Sequence, residues 1–186
     1  TYEESVFVVD VHYDKDITTA DSGNAKRFPS PPKGLRVRRL THSWAAGVVR
    51  GSPTGDRIAY YAKADNGTIQ LFIIAADGSD HDPNPAKQPK QVTRLPEGAG
   101  VGPRWSPSGD ALACVSNNGL TITSIATGES DFLTPQGDVP ARINPVWSHD
   151  GKLIAFNKSV PDPKGYKNYD GSDPLQIFVV NMGKTP

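Results

Sequence analysis

Three arginines recur at similar places in the chain, and their chemistry suits negatively charged groups. Arg50 and Arg104 each lie two residues before a Ser-Pro pair, and Arg142 lies shortly before a related Trp-Ser pair. A guanidinium group presents a planar fork of N–H donors that matches a carboxylate or phosphate. If the three side chains converge, they form a positively charged funnel for carboxylates or acidic sugars. In the alternative, each arginine pairs with a nearby aspartate or packs its stem on neighbouring structure.

Histidine is the other residue type that could do chemistry, and the chain has four of them. His42 and Trp44 lie in the segment Thr-His-Ser-Trp, and we predict that both contribute to ligand binding because connecting loops carry function more often than strands do. His12 and His81 lie in polar loops and are predicted to be solvated. His149 replaces the proline of a turn motif and is predicted to be exposed.

Four common catalytic or ligand-binding motifs, including a pair of cysteines, are absent from the sequence. It contains no Gly-x-Ser-x-Gly elbow, no His-Glu-x-x-His pair and no phosphate-binding loop. The single cysteine, Cys114, excludes a disulfide within the chain and is predicted to be a buried core thiol. We therefore predict no catalytic residue, no metal site and no cofactor, and leave open whether the protein is an enzyme.

The elements that position these residues are indicated by a repeat. The segments SPTGD, SPSGD and SHDGK occupy 52–56, 106–110 and 148–152, and a glycine stands at the fourth position of each. Glycine accepts the positive φ of a tight turn, and an apolar, strand-like run follows every copy. Repeats with a period on the order of 50 residues are typical of β-propellers, whose blades have four strands.

The remaining apolar runs complete the predicted blades. We predict no substantial helix, and strands near 5–11, 36–42, 52–60, 69–74, 91–96, 111–116, 120–126, 131–135 and 175–181. The predicted blade units of this single partial domain are 1–42, 43–97, 98–136 and 137–186.

The fold class predicted is therefore an all-β propeller of four-stranded antiparallel blades, of which about three and a half are present. Propellers close with about four to eight blades, so we expect further blades of a longer protein, or a second copy of the chain, to complete the ring.

The repeat resembles that of the TolB-like propellers. Leu-Thr at 40–41, Trp-Ser-x-Asp-Gly-Lys at 147–152 and Ile-Ala-Phe at 154–156 carry the resemblance, which covers nearly the whole chain. The segment 39–61 is also similar to the C-terminal part of an uncharacterised bacterial propeller family related to TolB. It departs from the pattern at Gly51, where the later units have tryptophan.

Composition limits the classes of partner. Twenty basic and twenty acidic residues give a net charge of zero, so we expect no general attraction to nucleic acid or to an anionic membrane. No apolar stretch approaches the roughly 18 residues that span a bilayer. A periplasmic location is favoured, with a cytoplasmic one as the alternative.

The resemblance implies a non-catalytic module that binds a protein, or a small acidic ligand, at the mouth of the propeller channel. The predicted binding residues are His42, Trp44, Arg50, Arg104 and Arg142. The alternative is part of a propeller lyase or hydrolase that acts on acidic carbohydrate. Enzymes of that kind gather several histidines around a metal, whereas only His42 is suitably placed here, so the binding module is favoured.

Overall fold

The computed structural model describes residues 4–14, 16–27, 30, 32, 34–137 and 144–183, and within them the chain is all-β. Two single-turn 3-10 helices, Ile17–Thr19 and Pro85–Lys87, are the only helical segments described. The strands are β1 (Phe7–Asp10), β2 (Arg36–Arg39), β3 (Ala45–Gly51), β4 (Arg57–Lys63), β5 (Ile69–Ala75), β6 (Lys90–Gln91), β7 (Gly100–Trp105), β8 (Ala111–Ser116), β9 (Gly119–Ser124), β10 (Ser130–Phe132), β11 (Val146–Trp147), β12 (Leu153–Ser159) and β13 (Leu175–Asn181).

The strands form four antiparallel sheets in which neighbours along the chain are neighbours in the sheet. Two sheets are complete four-stranded blades, β3-β4-β5-β6 and β7-β8-β9-β10. A two-stranded sheet, β1-β2, precedes them, and a three-stranded sheet, β11-β12-β13, follows them. The predicted class, a propeller with two whole and two partial blades, is confirmed. The exact limits of the blade units stay a prediction.

The hydrophobic core lies between the sheets, as in stacked propeller blades. The first sheet packs on the second through Leu40, Tyr60 and Ile74. The second packs on the third through a cluster that includes Leu71, Leu112 and Trp105, and a further cluster joins the third sheet to the fourth. Strand β7 contacts β3 on one side and β11 on the other, so the first strands of successive blades lie together.

The repeated turn has the same backbone geometry in all three copies. Gly55, Gly109 and Gly151 have φ values of 74°, 75° and 71°. The N–H of each glycine donates to the backbone carbonyl of the serine three residues earlier. One predicted strand was too long at its start: residues 52–56 are the turn itself, and the strand is Arg57–Lys63. The reason is that the Ser-Pro-x-Gly-Asp segment closes the hairpin and takes no part in the strand ladder.

In the first three sheets, a threonine two residues after the last strand has a role that the sequence did not indicate. The hydroxyl oxygens of Thr41, Thr93 and Thr134 accept the backbone N–H groups of Val6, Leu71 and Leu120, at 2.9, 2.8 and 2.8 Å. Each acceptor extends the pairing of the third strand beyond the short fourth strand. The threonine of the Leu-Thr pattern therefore accepts a hydrogen bond that attaches the end of the blade to its third strand.

The outer faces of the first and last sheets are apolar and exposed. Phe7 and Val9 lie on the first sheet, and Ile177 and Val179 lie on the last, and all four are exposed. In the second sheet, by contrast, Leu71, Ile73 and Ile74 of β5 are buried in the clusters that pack against the neighbouring sheets. Completion of the ring by further blades or by a second copy remains a prediction.

The aspartates of the repeated turns should make stability depend on pH. The hydroxyl of Ser52 donates to the Asp56 carboxylate at 2.7 Å, and that of Ser106 donates to Asp110 at the same distance. Hydrogen bonds from Thr54 and Ser52 lower the pKa of Asp56 to about 2, and equivalent bonds lower the pKa of Asp110. A carboxyl whose pKa is lower in the folded state stabilises the fold above its unfolded pKa of 3.8.

We expect that stabilisation to be lost as the pH falls from about 5 to about 2. The double variant Asp56→Asn, Asp110→Asn should melt below the unmodified chain at pH 5, and the gap should close towards pH 2. Thermal melts across this range measure it, with Asp131→Asn, an exposed carboxyl on β10, as the control. A gap that stays constant with pH would contradict the assignment.

Candidate functional site

Two of the three arginines predicted to bind a ligand lie in the described part of the chain, and they occupy equivalent positions in the first strands of their blades. Arg50 and Arg104 are each the penultimate residue of the first strand of their blade, β3 and β7. Each is aligned with an alanine of the second strand, Ala59 or Ala113. Arg142 lies outside the described residues, so its place relative to the other two stays a prediction.

A bulge precedes each arginine. The pairing of β3 with β4 shifts between Ala46 and Arg50, and the pairing of β7 with β8 shifts between Gly100 and Arg104. Gly47 and Gly102 lie within the bulges with φ values of 75° and 72°. Bulges re-aim the side chains that follow them, and they are common beside functional sites. The bulges therefore set the direction in which both arginine side chains leave the sheet.

The two guanidinium groups lie near each other without a carboxylate to neutralise them. Burial, and then the positive charge of Arg50, lower the pKa of Arg104. Each group donates a hydrogen bond to the carbonyl of the residue before it, at 3.1 Å in both cases. Among the residues that the structure describes, neither arginine forms an ion pair. We call Arg50 and Arg104 the arginine pair.

Aromatic side chains hold the backbone beneath the arginine pair. The indole Nε1 of Trp105 donates to the carbonyl of Arg50 at 2.9 Å, and that of Trp147 donates to the carbonyl of Arg104 at 3.4 Å. The hydroxyl of the buried Tyr61 donates to the carbonyl of Gly100 at 2.5 Å. The arginine pair is thus presented by strands whose mutual position is fixed by side-chain bonds.

The predicted residues His42 and Trp44 lie at the other end of β3. Both precede Ala45, the first residue of that strand, whereas Arg50 lies next to its last residue. At about 3.3 Å per residue, the five steps from Ala45 to Arg50 span roughly 16 Å. The structure therefore does not bring His42 and Trp44 together with the arginine pair. A ligand-binding role for any of these residues stays a prediction.

A second cluster, formed by His42, Asp80 and His81, is the other group of chemically competent side chains. His42 comes from the connection between β2 and β3, while Asp80 and His81 come from the loop between β5 and β6. The ring Nδ1 of His42 lies 2.7 Å from Oδ1 of Asp80, and Nε2 of His81 lies 3.9 Å from the same oxygen. We call these three residues the histidine cluster.

Asp80 is the charged centre of the histidine cluster. Burial acts to raise the pKa of this carboxyl, but hydrogen bonds from the backbone and ring of His42 and the nearby charges of the two histidines outweigh it, so the pKa is lowered. Asp80 is therefore a carboxylate at neutral pH. His81 was predicted to be simply solvated. Its ring is exposed, but it also lies against His42, with the ring centroids 4.5 Å apart.

Cys114 and His149 have the exposure that the sequence predicts. Cys114 is fully buried, as predicted, and burial raises the pKa of its thiol to about 11. His149 is at the repeated turn and is exposed, as predicted; it lines an open groove of 680 Å³ between the last two sheets together with Asp110 and Asp150. Among the described residues, no helix is long and apolar enough to cross a bilayer.

Comparison with known proteins places the fold. No protein-family model matches the chain. It is 31% identical to the uncharacterised protein YidR of Escherichia coli over 73% of its own length, and it spans 33% of that relative's length. Among solved structures, a putative TolB from Agrobacterium tumefaciens superposes with a TM-score of 0.53 at 20% identity, covering 84% of this chain and 48% of that one.

A third similar protein is an enzyme. The oligogalacturonate lyase from Vibrio parahaemolyticus superposes with a TM-score of 0.54 at 12% identity, covering 72% of this chain and 35% of that one. At such identity the likeness concerns the fold alone. The blade order, the repeated turn and these comparisons agree on the fold: the chain has the β-propeller fold of the putative TolB, and it is similar in sequence to the uncharacterised protein YidR.

Proposed function

We propose that this chain belongs to a non-catalytic propeller module that binds a protein partner or small ligand through an anionic group. The observation that carries the proposal is the arginine pair, Arg50 and Arg104, with two neighbouring positive charges and no counter-ion among the described residues. A bound carboxylate would offset the repulsion between the two guanidinium groups, which, after burial, lowers the pKa of Arg104. Relief of this repulsion would contribute to the free energy of binding an anion.

The chemistry of the pair favours carboxylate as the recognised group. Each guanidinium group can offer two parallel N–H donors to one carboxylate, which gives orientation as well as attraction. The bulges at Gly47 and Gly102 and the indole bonds from Trp105 and Trp147 fix the supporting strands. Preorganised donors lose less entropy when a ligand binds, so a rigid frame supports a binding role.

Two classes of carboxylate ligand follow from this chemistry. An acidic segment of a protein is our first choice, because a protein or peptide partner is what the resemblance to TolB-like propellers implies. A polyuronate chain is the alternative, since the solved lyase with this fold is named for oligogalacturonate. The arginine pair would contact either ligand in the same way, so the two classes have to be compared directly.

The test is calorimetric titration of the chain with an oligoglutamate peptide and with oligogalacturonate, at low and physiological salt. We expect the peptide to bind more tightly, and its affinity to fall with added salt, because exposed charges are screened over about 8 Å at physiological ionic strength. The double variant Arg50→Ala, Arg104→Ala should lose most of this affinity. Its melting temperature should change little, because neither half-buried arginine forms an ion pair among the described residues and each guanidinium group only bonds the carbonyl of the residue before it.

Arg94→Ala is the matched control, since Arg94 is an exposed arginine of the same blade that lies outside the pair. It should leave the affinity for both ligands unchanged. Equal loss in the control and the double variant would mean nonspecific attraction and would overturn the proposal. Tighter binding of oligogalacturonate than of the peptide would favour the carbohydrate alternative.

A further inference from the structure

The histidine cluster is built on backbone that is well anchored. The N–H of Asp80 donates to the carbonyl of Leu40 at 2.9 Å, and Leu40 is a fully buried residue of the core between the first two sheets. The N–H of His42 donates to the second oxygen of Asp80, Oδ2, at 2.5 Å. Two loops separated by 38 positions in the sequence are therefore joined at this point.

The ligand atoms of the cluster are spaced as a metal site requires. One nitrogen of each histidine and one oxygen of Asp80 all lie within 4.8 Å of one another, and the two measured approaches to Oδ1 are 2.7 and 3.9 Å. Ligands about 2.0–2.1 Å from a tetrahedral zinc ion are roughly 3.3 Å apart. Shifts of about an ångström in the exposed histidine rings would bring these nitrogen and oxygen atoms to the separations found around a zinc ion.

The three side chains of the histidine cluster differ in exposure, and the carboxylate is the most buried of them. The Asp80 side chain is 15% exposed, whereas those of His42 and His81 are 40% and 72% exposed. The carboxylate is therefore held by the fold, and the rings can adjust from the solvent side. The backbone N–H of His42 donates to Oδ2 of Asp80, so Oδ1 faces both rings. Carboxylates that bind a metal ion are typically oriented by hydrogen bonds of this kind.

We propose that His42, Asp80 and His81 form a binding site for a divalent transition-metal ion such as Zn²⁺. Two imidazoles and one carboxylate are a donor set that suits zinc and the neighbouring late transition metals, and not Ca²⁺ or Mg²⁺, which take oxygen ligands. Three protein ligands leave a fourth position to water. The site lies at the end of β3 opposite the arginine pair, and it stands whether or not that pair binds anions.

A purely structural role would give the same hydrogen bond without metal affinity. In that case the contact between His42 and Asp80 only joins the two loops, and His81 adds nothing because no hydrogen bond to its ring is present in the described structure. The two explanations therefore differ most at His81. Its ring is exposed, so its removal leaves the core intact.

The experiment is titration of the tag-free chain with Zn²⁺ by calorimetry, and with Co²⁺ followed by its visible absorption. We expect one equivalent to bind, with cobalt bands typical of nitrogen and oxygen ligands, and Zn²⁺ to raise the melting temperature. His81→Ala should weaken binding by at least about tenfold, the lower bound for losing even an outer partner of a metal ligand. Asp80→Asn should weaken it likewise.

The matched control is His12→Ala, which removes an exposed histidine outside the cluster and should leave the affinity and the metal-dependent melting shift unchanged. Melts without metal show that each variant is folded. An unaltered zinc affinity in folded His81→Ala would overturn the proposal, as would the absence of stoichiometric binding to the unmodified chain.

Discussion

Replacing Trp105 by alanine should lower the free energy of unfolding by about 3 to 5 kcal/mol, the range for removing a buried aromatic ring from a core. The Trp105 residue is only 8% exposed and belongs to the cluster that joins the two complete blades. Its indole N–H also donates to the carbonyl of Arg50, and the guanidinium of Arg57 lies 5.1 Å from the ring centroid. The substitution therefore leaves a cavity and removes the hydrogen bond to the Arg50 carbonyl at the same interface. Urea denaturation followed by circular dichroism measures the loss.

Two further variants separate the causes of this loss. Trp105→Phe keeps most of the buried ring and removes the N–H donor, so it should cost less than the alanine variant. Trp44→Ala removes a half-buried tryptophan that lies beside Lys63, and it should cost less than Trp105→Ala. If the alanine variants at the two tryptophans were equally stable, Trp105 would not be the interface anchor that the structure indicates.

The repeat could be predicted from sequence because its signals are local. The turns depend on the φ values accessible to Gly55, Gly109 and Gly151, and those are properties of single residues and their neighbours. The apolar runs after the turns are short and well bounded, so strand type and order followed directly. The one strand placed too early, at 52–60, failed because a turn rich in small residues was counted with the strand it precedes.

The geometry of the candidate sites could not be predicted in the same way. Assigning Arg50 to a first strand was possible, but the end of the strand at which it lies depends on where the bulge and the hairpin occur. The contact between His42 and Asp80 joins residues 38 positions apart, and no local pattern encodes it. The adjacent pair Asp80-His81 was the available signal, since a loop that carries two ligand types needs only one more from elsewhere.

Gln70 carries a hydrogen-bond network that should be as costly to break as a core contact. The Gln70 residue is 1% exposed. Its amide oxygen accepts bonds from the hydroxyl of Thr93 at 2.7 Å and the N–H of Leu95 at 3.1 Å. Its amide nitrogen donates to the hydroxyl of Thr68 and the carbonyl of Leu95, at 2.8 and 2.7 Å. One side chain thus joins β5 to the segment that closes the blade after β6.

Gln70→Leu keeps a side chain of similar size but leaves the Thr93 hydroxyl and the Leu95 N–H as buried donors without acceptors. A buried polar group left unpaired costs about 1–3 kcal/mol, so we expect a loss of about 2 to 4 kcal/mol in the free energy of unfolding, measured by urea denaturation. Gln91→Leu is the matched control, because Gln91 is only half-buried and makes one bond, to the carbonyl of Thr93. Its loss should stay below about 1.5 kcal/mol, the upper value for one ordinary hydrogen bond. Equal losses in the two variants would mean that water reaches the donors around Gln70, and the blade would then be held by its apolar contacts and strand ladder alone.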